Sequence, residues 1–474
     1  MGSFEAPKEQ LQKPWVETPL VESSRLSKLA GCRIFLKLEN VQPSGSFKSR
    51  AMGNLILSHI TSSQNQHKRI HFFVSSGGNA GLAAVTAAKS LGYPCTVVLP
   101  TSTKPFMIKK LWMAGAFDVV SHGSTISAAG GFMREELMPE FVREVSKGEA
   151  AGGVVGIELP PFDDERIWEG VSSIVDELAY QLPPADDQGA SGLPLDAIIC
   201  SVGGGGLMNG LVEGLKRHHC PAPSSSWRSV DRSRAEANSP ARKNVHIVAT
   251  ETDGTGSLAL ALKHKSLISL PAITSLATSL GCTRVAERTL QNAMSPPPGV
   301  EIHSTVLHDA EAAKGVLTLA DEERILVELA CGVCVEAAVG SGTGYKPSSG
   351  RKIKNDEDQP LSYLKQLVPG LEPESRVVII VCGGSNVNVE MAAEWRGKIE
   401  EGWGKVEEEA VDEVESDRWV QIVEEKMKVG KPAAIEKEKI LGNGMVNGMG
   451  VGMGRKMRRN TVVDSPKSSW IEVL

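Results

Sequence analysis

Three short apolar runs in this chain each lead directly into a turn built of glycine and other small residues. The runs and their turns occupy residues 71–74 and 75–81, 197–200 and 201–207, and 376–380 and 381–386. Stretches rich in alanine or leucine follow the first two turns and favour helices at 82–88 and 207–215. An order of apolar strand, tight turn and helix predicts an α/β fold with open sheets, which bind ligands beyond the carboxyl ends of their strands.

One lysine, Lys48, lies in the segment Ser44-Gly45-Ser46-Phe47-Lys48-Ser49-Arg50, just after the apolar residues 34–38. Partial burial beside an aromatic ring and a phosphate-bearing cofactor would let such an amine lose its proton near neutral pH. It could then act as a Schiff-base nucleophile. A solvated lysine at the start of a helix is the alternative interpretation of this motif when it is taken alone.

Four consecutive glycines occupy positions 203–206 in the second turn. They allow the backbone to wrap around an anion and to direct N–H groups and a helix dipole at it. A Walker loop would continue with Gly-Lys-Ser/Thr, whereas this chain continues through Leu207 to Met208 and Asn209. A Rossmann site would have an acidic residue about twenty positions further on, where this chain has a loop at 220–226.

Composition narrows the class of protein further. With 474 residues, 41% of them hydrophobic, the chain can form more than one domain. A net charge of −6 gives no electrostatic basis for binding nucleic acid, despite the basic residues at 455–459. No apolar run is long enough to span a membrane, and residues 1–13 lack a signal peptide's apolar core, so we expect a cytoplasmic protein.

The eight cysteines are scattered, which favours reduced thiols over disulfides. Cys331 and Cys334 have the spacing of a zinc or redox pair. Neither a second pair nor clustered histidines accompany them in the sequence, and this argues against either role.

Strand-like and helical runs alternate between residues 74 and 120, which predicts a small βαβα unit between Lys48 and the later motifs. We therefore expect a small domain at 50–149 and a discontinuous large domain formed by 1–49 and 150–398. The ligand would lie in the cleft between them.

Segments rich in Pro, Ser, Gly or charge predict exposed loops at 183–192, 221–242 and 341–359. From 399 to 474 the chain is dense in Glu and Lys and then rich in Gly, Met and Asn. Such a composition predicts a disordered or partly helical tail that the chemistry does not need.

The lysine motif, the asparagine turn at 75–81, the tetraglycine loop and the Cys-Gly-Gly-Ser-Asn turn at 382–386 occur in this order. Together they resemble the fold-type II pyridoxal-phosphate enzymes, which are related to tryptophan synthase β, and specifically the L-serine/L-threonine dehydratases. The resemblance extends over residues 15–398. It implies two open, twisted α/β domains with pyridoxal 5′-phosphate in the cleft between them, and a homodimer.

The implied reaction is a β-elimination on a small amino acid. L-serine would give pyruvate and ammonia, and L-threonine would give 2-oxobutanoate and ammonia. Lys48 would hold the cofactor and, once released, take the substrate's α-proton, and Phe47 would cover one face of the cofactor ring. Asn79 would hydrogen-bond the ring's 3′ oxygen.

Backbone N–H groups would bind the two anionic groups. The cofactor phosphate would be bound by Gly203, Gly204, Gly205, Gly206 and Leu207. The substrate carboxylate would be bound by Ser76, Gly77, Asn79 and Ala80, whose turn would act as a small anion nest.

The resemblance places Cys382 opposite the pyridine nitrogen of the cofactor. An aspartate there would keep that nitrogen protonated and stabilise a carbanion spread through the ring, which a neutral thiol cannot do. A shorter-lived carbanion favours loss of the β-hydroxyl over transamination or racemisation.

Residues 251–254 resemble the family's monovalent-cation loop. The resemblance implies that potassium binds to the Glu251 carboxylate, with Thr255 and Ser257 nearby. A surface carboxylate that follows a strand at 246–249 is the alternative interpretation.

Three positions depart from the family pattern. Val171 and Gly256 stand where histidine is common, and Leu329 stands where proline is usual. None removes a catalytic group, but we expect the cleft wall to differ, so a larger β-hydroxy amino acid stays open as the substrate.

Other functions stay open as well. Threonine deaminase and serine racemase are disfavoured by the Asn79 turn and by Cys382. A catalytically silent cofactor-binding protein is disfavoured by the intact Lys48.

Overall fold

Two β-sheets organise the computed structural model of this chain, which describes residues 12–146, 153–184, 193–219, 243–340 and 362–404. The predicted loops at 183–192, 221–242 and 341–359 fall almost wholly outside the described residues. The predicted tail falls outside them from residue 405 onward.

The larger sheet has six strands. They are β1 (Leu20–Glu22), β2 (Arg33–Lys37), β7 (Ala197–Ser201), β8 (Val245–Thr252), β9 (Val300–Leu307) and β10 (Arg376–Ile380). Their order across the sheet is β1-β2-β10-β7-β8-β9, and all neighbours are parallel except β1 and β2. Every residue of β7 and of β10 is buried, as expected for parallel strands that are covered on both faces.

The smaller sheet has four parallel strands. They are β3 (Arg69–Val74), β4 (Cys95–Leu99), β5 (Asp118–Ser121) and β6 (Val154–Glu158), in the order β5-β4-β3-β6. The predicted small domain ends at 149 and therefore leaves out β6, whose residues pair with residues 69–73 of β3. That boundary is wrong for the sheet, because a parallel partner can join only after a long crossover, which here ends beyond residue 150.

Helices connect the strands and cover both sheets. In the described residues they are α1 (Ser24–Ala30), α2 (Lys48–Thr61), α3 (Asn79–Ser90), α4 (Pro105–Ala114), α5 (Ile126–Phe132), α6 (Met138–Ser146), α7 (Glu165–Gln181), α8 (Gly206–His219), α9 (Ser257–His264), α10 (Glu287–Met294), α11 (Asp309–Thr318), α12 (Leu329–Val339), α13 (Tyr363–Leu367) and α14 (Val389–Glu400). None of these helices combines the length and the apolar character that a membrane crossing requires.

Small residues let α7 and α8 pack closely behind the larger sheet. A Cβ atom added at Gly210 would lie only 2.4 Å from the Cβ of Val171, and one added at Gly214 would lie 2.6 Å from the Cβ of Val175. Val171 is fully buried in this contact. Val171, one of the three positions that depart from the family pattern, therefore lies in the interface between α7 and α8.

The predicted tail begins too early. Helix α14 continues to Glu400, and Trp403 contacts His308 edge to face with ring centroids 6.1 Å apart. Trp403 supplies apolar surface for this contact. The Glu/Lys-rich composition around it gave no indication of such a contact.

Candidate active site

The lysine motif is joined to the turn that follows β10. Ser46 and Gly383 form an antiparallel bridge, and the Phe47 N–H donates to the Cys382 carbonyl at 3.2 Å. Gly383 has a φ of +81°, and a Cβ atom there would lie 2.3 Å from the Gly45 carbonyl oxygen. Glycine at this position therefore allows the two chain segments to approach closely.

A buried ionic network lies behind the start of α2. Arg50 is completely buried and forms ion pairs with Glu39 at 2.8 Å and with Glu177 at 2.5 Å. Lys37 pairs with the same Glu177 carboxylate at 2.5 Å. Burial acts to raise the pKa of Glu177, but the hydrogen bonds and charges of Arg50 and Lys37 lower it overall. The network ties α2 to β2 and α7 and so fixes where the first turn of α2 points.

Lys48 is the first residue of α2 and is partly buried. Its Nζ donates to the Pro161 carbonyl at 2.5 Å and lies 5.3 Å from the centroid of the Phe47 ring. Burial lowers the pKa of Lys48 to about 8, opposed weakly by the Cys282 thiol. A minority of this amine, far larger than for an ordinary lysine, is therefore neutral near physiological pH, as a nucleophile or a general base requires.

The tetraglycine loop is packed so tightly at Gly204 and Gly205 that side chains could not replace their hydrogens. A Cβ atom would lie 2.2 Å from the Phe162 ring at Gly204 and 1.9 Å from the Thr289 hydroxyl at Gly205, where φ is +94°. Helix α8 begins at Gly206, so the N–H groups of its first turn point out of the helix end. The loop and the helix start together favour a bound anion.

The asparagine turn after β3 reaches across to the larger sheet. Asn79 Nδ2 donates to both carboxylate oxygens of Glu328, at 3.1 and 3.2 Å, and Asn79 Oδ1 accepts from the Ser385 N–H at 2.9 Å. The same Glu328 carboxylate accepts from the Asn386 N–H at 2.5 Å. One asparagine side chain thus bridges the start of α3, the start of α12 and the turn after β10.

Cys382 lies in the turn that follows β10, and its thiol is buried. Its Sγ lies 3.7 Å from the Ser201 hydroxyl. A hydrogen bond with Cys331 and burial raise the pKa of the Cys382 thiol well above its usual value. The thiol is therefore neutral at physiological pH.

The asparagine turn, the tetraglycine loop and the side chains of Lys48, Glu328 and Cys382 line one cleft with a volume of about 560 Å³. The cleft brings together every residue predicted to bind cofactor or substrate, namely Phe47, Lys48, Ser76, Gly77, Asn79, Ala80, Gly203, Gly204, Gly205, Gly206, Leu207 and Cys382. Among the described residues that line it, Val171, Gly256 and Leu329 do not occur. None of the three departures therefore places its own side chain in the cleft lining.

The residues predicted for a cation lie together and do not line that cleft. Glu251 is within β8, not after the strand, and its carboxylate is completely buried. It accepts from the N–H groups of Leu258 and Ala259, at 2.7 and 2.8 Å, and so caps the start of α9. Thr255 and Ser257 are buried beside it, and the Ser257 hydroxyl has no hydrogen-bond partner in the described residues.

Glu328 is a cleft residue that the sequence reasoning did not identify. It is 4% exposed, and burial raises its pKa although Ser279, Asn386 and Asn79 donate hydrogen bonds to it. A carboxylate directly before the apolar run 329–335 was the available signal, because a buried helix seldom begins with a charge unless something binds it.

The cleft meets the requirements of pyridoxal phosphate. A lysine amine of lowered pKa can bind an aldehyde, and a glycine loop that excludes side chains at Gly204 and Gly205 forms an anion cradle at a helix start. A neutral thiol and an aromatic ring line the space shared by these two features. The fold and this donor set together define the class of the protein.

The comparisons with known proteins agree with that class. The family model described as pyridoxal-phosphate dependent enzyme matches residues 11–349, and the chain belongs to this family. The predicted fold class is thereby confirmed.

Individual relatives match most of the chain in sequence. The chain is 35% identical to the L-serine dehydratase/L-threonine deaminase of Bos taurus over 374 residues, covering 79% of this chain and 92% of the relative. It is 34% identical to an L-serine dehydratase of Saccharomyces cerevisiae, covering 79% and 94%. The crystal structure of a fungal L-serine ammonia-lyase from Rhizomucor miehei aligns with a TM-score of 0.60 and 28% identity, covering 82% of this chain and 99% of that one.

Proposed function

We propose that this chain is a pyridoxal-phosphate-dependent L-serine ammonia-lyase that also deaminates L-threonine. The observation that carries the proposal is a neutral thiol, Cys382, in the same cleft as the amine of Lys48. The relatives named L-serine dehydratase and L-serine ammonia-lyase support the same reaction.

Two elements would hold the cofactor. Its aldehyde would attach to Lys48 Nζ, and its phosphate would be bound by the N–H groups of the tetraglycine loop and the start of α8. The Phe47 ring lies beside Lys48 and would cover one face of the cofactor ring. When bound, pyridoxal phosphate withdraws electrons from the substrate's α-carbon and makes its proton acidic.

Lys48 then serves as the base. A pKa of about 8 means that the released amine is partly neutral at pH 7 to 8, so it can accept the substrate's α-proton. The Pro161 carbonyl, 2.5 Å from Nζ, accepts one of the amine's hydrogens and directs the amine while it holds the proton.

The asparagine turn would bind the substrate carboxylate. Ser76, Gly77, Asn79 and Ala80 line the cleft at the start of α3, where free N–H groups and the helix dipole favour an anion. The bridge from Asn79 to Glu328 and Ser385 holds that turn against the larger sheet. The carboxylate would thus be anchored on the opposite wall of the cleft from the phosphate.

Cys382 sets the outcome of the reaction. A thiol that stays neutral would give the pyridine nitrogen no negative partner, so charge would not accumulate in the ring. Release of the β-hydroxyl would then be favoured over reprotonation of the α-carbon. Elimination, with ammonia and a 2-oxo acid as products, is the reaction that this arrangement favours.

The test incubates the purified holoenzyme with L- and D-serine, L- and D-threonine and larger β-hydroxy amino acids. Ammonia and individual 2-oxo acids are measured, with Lys48→Ala as the inactive control. We expect pyruvate from L-serine and 2-oxobutanoate from L-threonine. Racemised serine without pyruvate, or turnover of only the larger substrates, would refute the proposal.

The lowered pKa of Lys48 gives an independent test of its role. In cofactor-free protein, an amine-directed acylating reagent should modify Lys48 with a half-maximal rate near pH 8. An ordinary lysine has a pKa of about 10.4, so its rate rises about two units later. Peptide mapping across the pH range measures both, with the other lysine peptides as internal reference. A late rise for Lys48 would contradict its assignment as the base.

We also propose that Glu251, Thr255 and Ser257 bind potassium. The unpartnered Ser257 hydroxyl and the buried Glu251 carboxylate support this, because a cation would satisfy the first and neutralise the second. Potassium should raise the thermal unfolding midpoint above its value in tetramethylammonium, and Glu251→Gln should abolish the difference. Equal midpoints for the wild type in both salts would count against the site.

The family resemblance supports the assembly, and the sequence expectation given above supports the location. We propose a cytoplasmic homodimer. Light scattering on the purified holoenzyme tests the first point, and imaging of a tagged chain in cells tests the second.

A further inference from the structure

A second cluster of ligand-type side chains lies on the larger sheet, remote from the cleft. His246, Glu301 and His303 come from the neighbouring strands β8 and β9. They lie near the amino ends of these strands, whereas the cleft residues of this sheet follow the carboxyl ends of β7 and β10. The proposed reaction therefore has no use for them.

Strand register brings the three side chains together. His246 is paired directly with Glu301 across the two parallel strands. His303 is two residues beyond Glu301, and side chains two apart along a strand share a face of the sheet. All three therefore project from the same face.

The distances among their ligand atoms match a single small ion. His246 Nδ1 lies 3.0 Å from His303 Nε2 and 3.6 Å from Glu301 Oε2, and His303 Nε2 lies 4.0 Å from that oxygen. Zinc bonds of about 2.0–2.1 Å in a tetrahedron put ligand atoms roughly 3.3 Å apart. Small rotations of the side chains would bring all three atoms to that spacing.

A fourth residue orients the carboxylate. Asn244 Nδ2 donates to Glu301 Oε1 at 2.6 Å and leaves Oε2, the oxygen nearer both imidazoles, directed at them. Metal-binding carboxylates and imidazoles are commonly fixed by such outer hydrogen bonds. The histidine side chains are 20% and 23% exposed, so an ion could enter from solvent.

We propose that His246, Glu301 and His303 form a zinc site that clamps the edge strand β9 to β8. Two imidazoles and one carboxylate are a donor set that zinc accepts and that magnesium and calcium, which prefer oxygen, do not. A solvent molecule completes the coordination. The clamp stabilises an edge strand whose outer backbone groups have no strand partner in the described sheet.

The test uses full-length holoenzyme stripped with a chelator and then titrated with Zn²⁺, with Mg²⁺ in parallel. We expect one zinc per chain by elemental analysis after gel filtration, and no magnesium. His303→Ala and His246→Ala should each weaken binding at least 100-fold, and Asn244→Ala should weaken it about tenfold. His264→Ala, an exposed histidine at the end of α9, is the matched control and should bind as the wild type does.

Cobalt substitution identifies the ligands directly. Co²⁺ in the wild type should give the intense visible bands of a four-coordinate nitrogen and oxygen site, without a thiolate charge-transfer band. Wild-type stoichiometry and affinity in His303→Ala, or a thiolate band, would overturn the assignment. If a histidine variant fails to fold, Glu301→Gln replaces it in the zinc titration. The Glu301 side chain is 47% exposed, so this change should not disturb folding, and it should weaken zinc binding.

The clamp itself has a separate readout. Zinc should raise the thermal unfolding midpoint of the wild type and leave that of His303→Ala unchanged, because only the former has an ion linking the two strands. Equal shifts in both proteins would contradict the clamp.

Discussion

The two walls of the cleft are built in different ways. On the larger sheet, residues 204–206 are buried, and a side chain at Gly204 or Gly205 would overlap Phe162 or Thr289. On the smaller sheet, residues 75–79 are only half-buried, and a Cβ atom at Gly78 would meet nothing closer than the Ser76 hydroxyl at 4.0 Å. The larger-sheet loop is thus packed tightly at Gly204 and Gly205, whereas the turn around Gly78 has space beside it and is linked across the cleft by the side-chain hydrogen bonds of Asn79.

This difference separates two tasks. A cofactor that stays bound through many turnovers suits a cradle that is formed before binding and cannot rearrange. A substrate that must enter and leave suits a turn with space around it and few contacts to break. The larger sheet should therefore govern cofactor affinity and stability, and the smaller sheet should govern turnover.

The largest effect is expected in the ionic network behind the cofactor wall. Glu177→Ala leaves Arg50 and Lys37 buried without their shared partner and should cost about 3–5 kcal/mol of unfolding free energy. Asp176→Ala is the matched control, because Asp176 pairs with Arg217 where both side chains are nearly half exposed. Its loss should cost no more than about 1 kcal/mol. Denaturant titration measures both variants.

The loss of unfolding free energy in Glu177→Ala should depend on pH in a definite direction. The folded-state pKa of Glu177 is lowered, so its stabilising effect is present above the ordinary carboxylate pKa and is lost as the pH falls through the lowered value. The difference in unfolding free energy between the wild type and Glu177→Ala should therefore become smaller at acidic pH. A gap that widens in acid would show that the network does not hold a carboxylate.

Gly205→Ala should be the next largest effect and should act on the cofactor. A φ of +94° and the 1.9 Å approach to Thr289 make alanine both strained and overpacked. A cost of about 3 kcal/mol corresponds to a roughly 100-fold loss of cofactor affinity. Absorbance titration with pyridoxal phosphate measures it. Unchanged affinity would remove the basis for calling this wall preformed.

Asn79→Ala should lower turnover while the cofactor stays bound. Removing the amide leaves Glu328 and the Ser385 N–H without one of their partners. The substrate turn is then less well held, and we expect kcat/KM to fall about tenfold, which is roughly 1.4 kcal/mol of transition-state stabilisation. Steady-state kinetics at saturating cofactor measures the loss. A variant that instead releases cofactor and keeps its kcat when reloaded would place Asn79 with the other wall.

Gly78→Ala should have the smallest effect. Its φ is −111°, and the added methyl group meets no protein atom closer than the Ser76 hydroxyl at 4.0 Å, so turnover should change by no more than about threefold. Paired with Gly205→Ala, it compares glycines in the two walls under the same substitution. Equal damage at both positions would erase the distinction between the walls.

Local pattern sufficed for the strands and turns that build these walls. The predicted apolar runs at 71–74 and 376–380 lie in β3 and β10, and the turns after them face the cleft, because period and glycine content are properties of neighbouring residues. The residue roles assigned by resemblance stay predictions that the experiments above address.

Other features depend on contacts that sequence patterns do not reveal. Glu328 enters the site only because the start of α12 meets Asn79, which is 249 positions away. His246 and His303 meet through the register of two strands, and β6 joins the smaller sheet through its pairing with β3. Each is decided by tertiary packing between segments that are distant in the chain.

The pairing of β2 with β10 has a consequence for how the protein is made. During synthesis, residues 33–37 cannot pair with β10 until residues 376–380 have been made. At ordinary rates of synthesis this takes tens of seconds. The strands of the smaller sheet, all within residues 69–158, can pair long before then. Because the Ser46 and Gly383 bridge holds the loop that carries Lys48, cofactor capture awaits an almost complete chain. Nascent chains on the ribosome should therefore carry a folded smaller sheet and no cofactor.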